Sequence, residues 1–300
     1  MFTRIFGIFI GIAVIAFIIY FLLTSSQSLS PSTSHIQIVA AENFYGDIAE
    51  QLGGSHVVVK SILSDPNADP HEYESSVPDA VAVANASLII ENGLSYDSWM
   101  DKLVNASPNN KRTVLIMGNI APHKLPDNPH VWYGIDNVTS FAASITSHLK
   151  KIDPQNSKEY DQNLQTFLLS LSPIKDKIND IKAKFANTPV GLTETIYLYQ
   201  SNPEGLSVLT PFDFEKAVAE GNDPLASSVS LANTQVIQKQ IKILIVNSQT
   251  ITPITTNLEN EAKEQHIPVV FVSETMPKNT SYQDWMLQQL DTLESSLSSQ

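Results

Sequence analysis

Two patterns of apolar and polar positions follow each other along residues 36–117, and together they predict strands and helices in a repeated order. Mostly apolar runs of strand length occupy 36–40, 57–63, 88–91 and 114–117. Between these runs, apolar residues recur every three or four positions, which is typical of helices that pack one face on a core, in 43–53, 78–86 and 96–104. This part of the chain is therefore predicted to form a parallel sheet covered by helices.

The same order returns after residue 188 and predicts a second lobe that is similar to the first. Strand-like runs lie at 190–192, 206–209, 243–247 and 269–272. Helical patterns follow from Glu194 and at 214–220, 234–241, 254–265 and 282–297. The predicted fold class is α/β, with two βα lobes built on parallel-type sheets, one at 36–152 and the other at 188–300.

A long periodic segment separates the two lobes. Asp153 is a good helix cap and Pro154 a good first helical residue, after which apolar residues recur at helical spacing from Tyr160 to Phe185. This pattern predicts one linking helix of about 48 Å within residues 153–187, at 1.5 Å per residue, which Pro173 could kink.

The N-terminus carries an apolar segment of membrane-spanning length. Residues 5–23 are uncharged and almost wholly apolar, and Arg4 precedes them. The segment is longer than a usual signal-peptide core, so residues 1–24 are predicted to be a membrane anchor with the folded part outside the cell membrane. The alternative is a signal peptide that is cleaved near the small residues Ser26, Ser28 and Ser30. Residues 25–35 are rich in serine and predict a flexible tether.

Composition limits the chemistry that the chain can perform. The sequence has no cysteine, which excludes disulfides, thiolate metal sites, cysteine nucleophiles and lipid attachment through a cysteine. Its formal net charge of −13 argues against binding to nucleic acid or to an anionic membrane surface and suits a cationic ligand, although acidity also keeps an exported protein soluble.

Two histidines occupy similar positions in polar loops that follow predicted strands. His71 lies in DPNADPHEY and His130 in DNPHVW, and each directly follows a proline that restrains the backbone. Because ligands bind beyond the carboxyl ends of parallel strands, both imidazoles are candidates for one metal site. The alternative for each is a surface-loop histidine without a function.

Two carboxylates have equivalent positions in the second lobe. Glu194 follows the strand-like run VGLT and Glu274 follows VVFVS. With the two histidines they would give a divalent cation two nitrogen and two oxygen ligands, drawn equally from both lobes. Alternatively, Glu194 only stabilises a helix N-terminus and Glu274 is a loop charge.

Several stretches resemble a known family. The runs GDIAEQLGG, DPNADPHEYESSVPDAVAVANASLIIENG and NPHVWYGIDN are similar to the metal-binding subunits of manganese and zinc ABC importers, the cluster A-I solute-binding proteins. The resemblance implies two βα lobes joined by a long rigid helix, with a metal ion held in the cleft. It also implies His71, His130 and Glu194 as ligands, and Glu274 where the family usually has aspartate.

The chain departs from the family pattern in four respects. NPH replaces the usual DPH, TETIYLY lacks the common small residue after the glutamate, the fourth ligand is one methylene longer, and the cysteine through which relatives are commonly lipidated is absent. The apolar N-terminal segment would then have to provide the attachment to the membrane.

The resemblance and the ligand set together predict a monomeric, membrane-anchored extracellular protein that captures Mn²⁺ or Zn²⁺ and delivers it to an ABC permease. Hard oxygen donors favour Mn²⁺, and Zn²⁺ accepts the same ligands. His123 is interpreted as a loop residue near the site. Alternative functions are an exported metalloenzyme or an adhesion or scaffold protein, but no HExxH, GxSxG or GxxxxGK[ST] motif and no catalytic residue is predicted.

Overall fold

Two parallel sheets organise the part of the chain that the computed structural model describes, residues 35–65 and 73–299. The first sheet has the order β2-β1-β3-β4, with β1 Ile36–Glu42, β2 Val57–Leu63, β3 Leu88–Glu91 and β4 Thr113–Ile116. The second has the order β6-β5-β7-β8, with β5 Pro189–Leu192, β6 Ser207–Val208, β7 Ile243–Asn247 and β8 Val269–Val272. Both therefore have the parallel arrangement that the alternating pattern predicts.

Helices cover the two sheets. The first lobe is the first sheet with α1 Asn43–Gly53, α2 Val77–Asn85, α3 Ser98–Ala106, α4 Met117–Ile120 and α5 Ile135–Ile152. The linking segment contains α6 Ser157–Ser170 and α7 Ser172–Phe185. The second lobe is the second sheet with α8 Leu198–Glu204, α9 Phe212–Ala219, α10 Ala226–Ile237, α11 Pro253–Glu264 and α12 Tyr282–Ser298.

The predicted single linking helix is interrupted, and α6 and α7 meet at Leu171. Leu171 keeps helical angles, with φ −80° and ψ −13°, and its amide bonds to the carbonyl of Leu168. Pro173 has no amide proton, so the helical bond expected at that position cannot form. Pro173, which was expected to kink the helix, therefore lies beside the interruption. The apolar stripe continues beyond it through buried Ile174 and Ile181.

Buried aromatic rings connect the two lobes. Phe44 of α1 stacks on Trp132 of the first lobe with centroids 4.5 Å apart and on Trp285 of α12 at 6.0 Å. Tyr133 packs edge to face on Trp285 at 5.9 Å. Such pairs contribute about 0.5–1.5 kcal/mol each beyond their burial. The lobes therefore share a continuous apolar core in this arrangement.

One face of α1 also binds the segment that follows β8. Asn43 exchanges two hydrogen bonds with the backbone of Met276, at 2.6 and 3.0 Å. One turn later Asp47 accepts the amide of Tyr282 at 2.9 Å, and after another turn Gln51 bonds to Gln283 at 3.0 and 2.9 Å. This row at helical spacing fixes residues 276–283 of the second lobe against the first.

The predicted membrane anchor and the predicted tether, except for its last residue His35, lie outside the described residues. Among the helices that the structure describes, none is both long and apolar enough to cross a membrane.

Asp79 at the start of α2 collects hydrogen bonds from three parts of the first lobe. It accepts the amide of Ser76 at 2.9 Å, the hydroxyl of Tyr73 at 2.8 Å and the ammonium of Lys60 at 2.9 Å. Burial opposes the charge, but the bonds from Ser76, Lys60 and Tyr73 lower the pKa of Asp79 well below its usual value. This carboxylate therefore holds α2, β2 and the chain at Tyr73 together.

Replacing Asp79 by asparagine is expected to lower the free energy of unfolding by about 1–3 kcal/mol, because three hydrogen-bond donors lose a buried, charged acceptor. Urea denaturation measures the change. Asp101→Asn, on the exposed face of the first turn of α3, is the matched control and should change stability by less than about 0.5 kcal/mol. Equal stability of the two variants would contradict the anchoring role.

Candidate metal centre

His130 is buried and its ring orientation is set by Asn128. The Oδ1 atom of Asn128 accepts the amide of His130 at 3.0 Å and lies 2.8 Å from the imidazole Nδ1. The Nδ2 atom of Asn128 donates to the carbonyl of Thr195 at 2.7 Å, so the amide orientation is fixed. Because an acceptor faces Nδ1, the neutral ring carries its proton there and directs the Nε2 lone pair away from Asn128.

Glu194 follows β5 in fully extended backbone, with φ −160° and ψ −178°, and caps the short turn Thr195–Tyr197. The residue is 1% exposed, and neither carboxylate oxygen accepts a hydrogen bond of good geometry from the described residues. Burial and then the charge of Glu274 raise the pKa of Glu194 well above its ordinary value, although the Ile196 amide and the Asn247 side chain oppose the shift. A cation beside this carboxylate would offset both unfavourable contributions.

Glu274 follows β8 and is held at both oxygens. Its Oε1 accepts the side-chain amide of Asn247 at 2.6 Å, and its Oε2 accepts the hydroxyl of Tyr96 at 2.8 Å. Burial and then the charge of Glu274 raise the pKa of Tyr96 well above its ordinary value, so the hydroxyl keeps the proton that it donates. The Glu274 amide donates to Gln249 at 2.6 Å, which fixes the backbone as well.

These three side chains converge from different elements of the two lobes. The Nε2 atom of His130 lies 3.9 Å from Oε2 of Glu194 and 3.9 Å from Oε2 of Glu274. One ligand atom from each of the three residues lies within 4.8 Å of the others. A cation bonds to each of its donors at about 2.0–2.2 Å. The three donor atoms need to move only slightly closer together to reach this distance from one ion. The arrangement can therefore hold a divalent ion.

His71, the fourth predicted ligand, lies outside the described residues. Among the described residues, the group that could hold a metal ion contains the other three predicted residues, His130, Glu194 and Glu274. Their role as ligands stays a prediction that this geometry supports. His123 is exposed in a loop whose backbone bonds to the side chain of Asn137, and it is not part of the group.

A groove of about 520 Å³ lies beside the site, between the lobes. Its lining includes Tyr96 and Asn128, which contact site residues, and Ala219 and Glu220 of the second lobe. Since His130, Glu194 and Glu274 are themselves buried, an ion could enter from this groove only if the surrounding segments moved.

The residues that orient the ligands were missed by the sequence prediction. Asn247 ends β7 at the same sheet edge as Glu194, so a polar residue after a buried apolar run was a usable signal. Tyr96 follows β3 in the same way. Asn128 was noted only because NPH departs from DPH, yet it supplies the acceptor that orients His130.

Comparisons with known proteins agree with this architecture. The profile of the family described as "Zinc-uptake complex component A periplasmic" (ZnuA) matches residues 38–296. The metal ABC transporter substrate-binding lipoprotein SsaB of Streptococcus sanguinis is 28% identical over 194 residues, which are 60% of this chain and 62% of the relative. The iron ABC transporter substrate-binding lipoprotein MtsA of Streptococcus pyogenes serotype M1 is 29% identical over 186 residues, 57% of this chain and 59% of the relative. A further relative is named for manganese.

The match to these curated relatives covers less than two thirds of their length. The fold similarity extends further. The solved structure of the periplasmic zinc binding protein TroA from Treponema pallidum superposes with a TM-score of 0.76 at 17% identity, and the match covers 88% of this chain and 99% of TroA. At this identity the comparison shows that the fold is shared.

Proposed function

This chain belongs to the zinc-uptake complex component A family, and we propose that it captures one divalent transition-metal ion outside the cell membrane and delivers it to the permease of an ABC importer. The observation that carries the proposal is the convergence of His130, Glu194 and Glu274, three buried donors from both lobes. His71 is proposed as the fourth ligand. The relatives reported above are named as binding proteins of transporters.

The donor set favours Mn²⁺ as the ion. Two carboxylates supply the hard oxygen donors that suit Mn²⁺, and imidazole suits Zn²⁺ and Fe²⁺ as well. By the Irving–Williams order Zn²⁺ binds most such sites more tightly than Mn²⁺. Selection of Mn²⁺ would therefore depend on geometry and on the ions available outside the cell.

Burial of the ligands argues for transport rather than catalysis. A catalytic metal keeps an open position that water and substrate reach. Here His130, Glu194 and Glu274 are at most 1% exposed, so exchange of the ion requires that the segments around the site move. Such a change suits capture followed by release at a permease.

Attachment to the membrane is proposed to occur through residues 5–23. The named relatives are lipoproteins, whereas this sequence contains no cysteine for a thioether-linked lipid. The protein is proposed to act as a monomer, because its site is built from one chain.

Metal analysis of protein purified without chelator tests the proposal. Wild-type protein is expected to carry close to one Mn²⁺ or Zn²⁺ per chain, and His130→Ala to lose it, because the ring supplies a ligand atom. His148→Ala, on α5 and outside the ligand group, is the matched control and should keep the ion. Unaltered metal content in His130→Ala would contradict the proposal and favour a scaffold or adhesion role.

Competition between Mn²⁺ and Zn²⁺ for the emptied protein then ranks the two ions. Turnover of a substrate by the loaded protein would instead favour the metalloenzyme alternative.

A further inference from the structure

Tyr96 extends from the first lobe to a ligand candidate of the second. It lies in the turn after β3, where Gly93, Leu94 and Ser95 have φ values of 72°, 56° and 67°. All three residues have left-handed backbone conformations, and these are strained for Leu94 and Ser95 because neither is glycine. Asp97 stabilises this turn by accepting the amides of Asn92 at 2.6 Å and Gly93 at 2.8 Å.

The ring of Tyr96 is held by packing, so its hydroxyl has a defined position. Its centroid lies 4.9 Å from that of Trp132 and 5.9 Å from that of His130, and the residue is 3% exposed. The hydroxyl donates to Oε2 of Glu274 at 2.8 Å. This is the same oxygen that lies 3.9 Å from Nε2 of His130.

Asn247 and Tyr96, which both donate to Glu274, come from different lobes. Asn247 belongs to the second lobe, as Glu274 does, and donates to Oε1. Tyr96 belongs to the first lobe and donates to Oε2. Each carboxylate oxygen has two lone-pair positions, so an oxygen that accepts one hydrogen bond can also bind an ion. A glutamate side chain has three rotatable bonds, and fixing both oxygens removes this freedom before the ion arrives.

We propose that Tyr96 is a positioning residue that orients Glu274 for the ion and makes this orientation depend on the approach of the two lobes. The inference rests on the proposed function of the site. When the lobes separate, Glu274 loses the Tyr96 donor and its carboxylate regains rotational freedom, so the ion is held less tightly. The hydroxyl therefore couples ion affinity to lobe closure.

Tyr96→Phe removes the hydroxyl and keeps the ring. Calorimetric titration with Mn²⁺ is expected to show a dissociation constant about 10- to 100-fold higher than wild type, the usual effect of losing a hydrogen bond to a metal ligand. Electron paramagnetic resonance of bound Mn²⁺ should show altered zero-field splitting, because Glu274 is no longer fixed. A loss of stability alone would not change this spectrum.

Tyr282→Phe is the matched control. The hydroxyl of Tyr282 donates to the carbonyl of Trp132 at 2.8 Å, also between the lobes and also buried, but it does not contact a ligand candidate. This variant is expected to lose stability and to bind Mn²⁺ within about twofold of wild type. Equal weakening of Mn²⁺ binding in both variants would overturn the proposal, since any lost inter-lobe hydroxyl would then suffice.

A double-mutant cycle with Glu274→Asp tests whether Tyr96 acts through Glu274. The shorter side chain is expected to draw the carboxylate away from the hydroxyl, so Tyr96→Phe should then change the Mn²⁺ dissociation constant by less than about twofold. Additive effects would overturn the proposal. Wild-type protein that binds no ion would contradict the proposed function itself, whereas normal Mn²⁺ binding by Tyr96→Phe would contradict only the role of Tyr96.

Discussion

Replacing Glu194 by glutamine is expected to stabilise the ion-free protein and to weaken ion binding at least about a hundredfold. Without an ion, the buried carboxyl is unfavourable because burial and the nearby charge of Glu274 oppose its ionisation. The carboxyl must therefore either bear an unfavourable charge or take up a proton, and a neutral amide of the same shape requires neither. With an ion, the same change removes an anionic ligand, and a hundredfold loss of affinity corresponds to about 2.7 kcal/mol.

Thermal unfolding with and without Mn²⁺ measures both effects. The ion-free variant should melt about 2–4 °C above wild type for each kcal/mol gained. Added Mn²⁺ should raise its melting temperature less than that of wild type, because stabilisation by a ligand follows its affinity.

Glu215→Gln provides the control for Glu194→Gln. Glu215 of α9 is 1% exposed, burial raises its pKa, and its Oε1 has no hydrogen-bond partner among the described residues. It is outside the ligand group, although its charge contributes to the raised pKa of Glu194. This variant should therefore also stabilise the ion-free protein, while changing Mn²⁺ affinity far less than Glu194→Gln does. If Glu194→Gln bound Mn²⁺ as wild type does, Glu194 would not be a ligand.

Raising the pH from 6 to 8 is expected to destabilise the ion-free protein and to strengthen ion binding. Burial raises the pKa of Glu204 from 4.5 to about 8. Burial and nearby acidic groups raise the pKa of Glu91 from 4.5 to about 8, and burial raises that of Asp97 to about 6. Above about pH 4.5 the folded protein therefore binds more protons than the unfolded chain. The free energy of unfolding therefore falls as the pH rises to about 8. For a fully buried group such as Glu204, the fall is up to about 1.4 kcal/mol per pH unit.

Ion binding should have the opposite pH dependence. The raised pKa of Glu194 means that a proton must leave the site when the ion enters. The Mn²⁺ dissociation constant is expected to fall at least tenfold between pH 6 and 8, and calorimetry in buffers of different ionisation enthalpy should show proton release.

Glu204→Gln separates the two parts of this prediction. Glu204 accepts the hydroxyl of Tyr197 at 2.9 Å and is not in the ligand group. The variant should flatten the pH dependence of ion-free stability and leave that of affinity unchanged. Ion-free stability that rises from pH 6 to 8 in the wild-type protein would contradict the assignment of buried protonated carboxyls.

Strands were easier to predict than helices in this chain. β7 and β8 have the predicted bounds because their continuous apolar runs are typical of parallel strands covered on both faces. No helix was predicted at α5, where serine and threonine of low helix propensity separate the buried Val138, Phe141 and Ile145. α10 lies earlier than predicted, and it ends before Lys239, whose φ of 53° cannot continue a helix.

The candidate ligands followed from position, whereas their orientation did not. His130, Glu194 and Glu274 are polar residues in loops after predicted strands, and each parallel sheet places such residues beyond the carboxyl ends of its strands. The contact between Tyr96 and Glu274 joins positions 178 residues apart, and it depends on how the lobes pack. Local sequence pattern contains no information on that packing, so the hydroxyl became visible as a ligand partner only in the structure.

Anomalous diffraction from crystals of Mn²⁺-loaded protein tests most directly whether the two lobes share one ion. The expected result is one strong peak about 2.0–2.3 Å from Nε2 of His130 and from an oxygen each of Glu194 and Glu274. A peak that leaves either carboxylate beyond bonding distance, or no peak at this position, would contradict the proposed site.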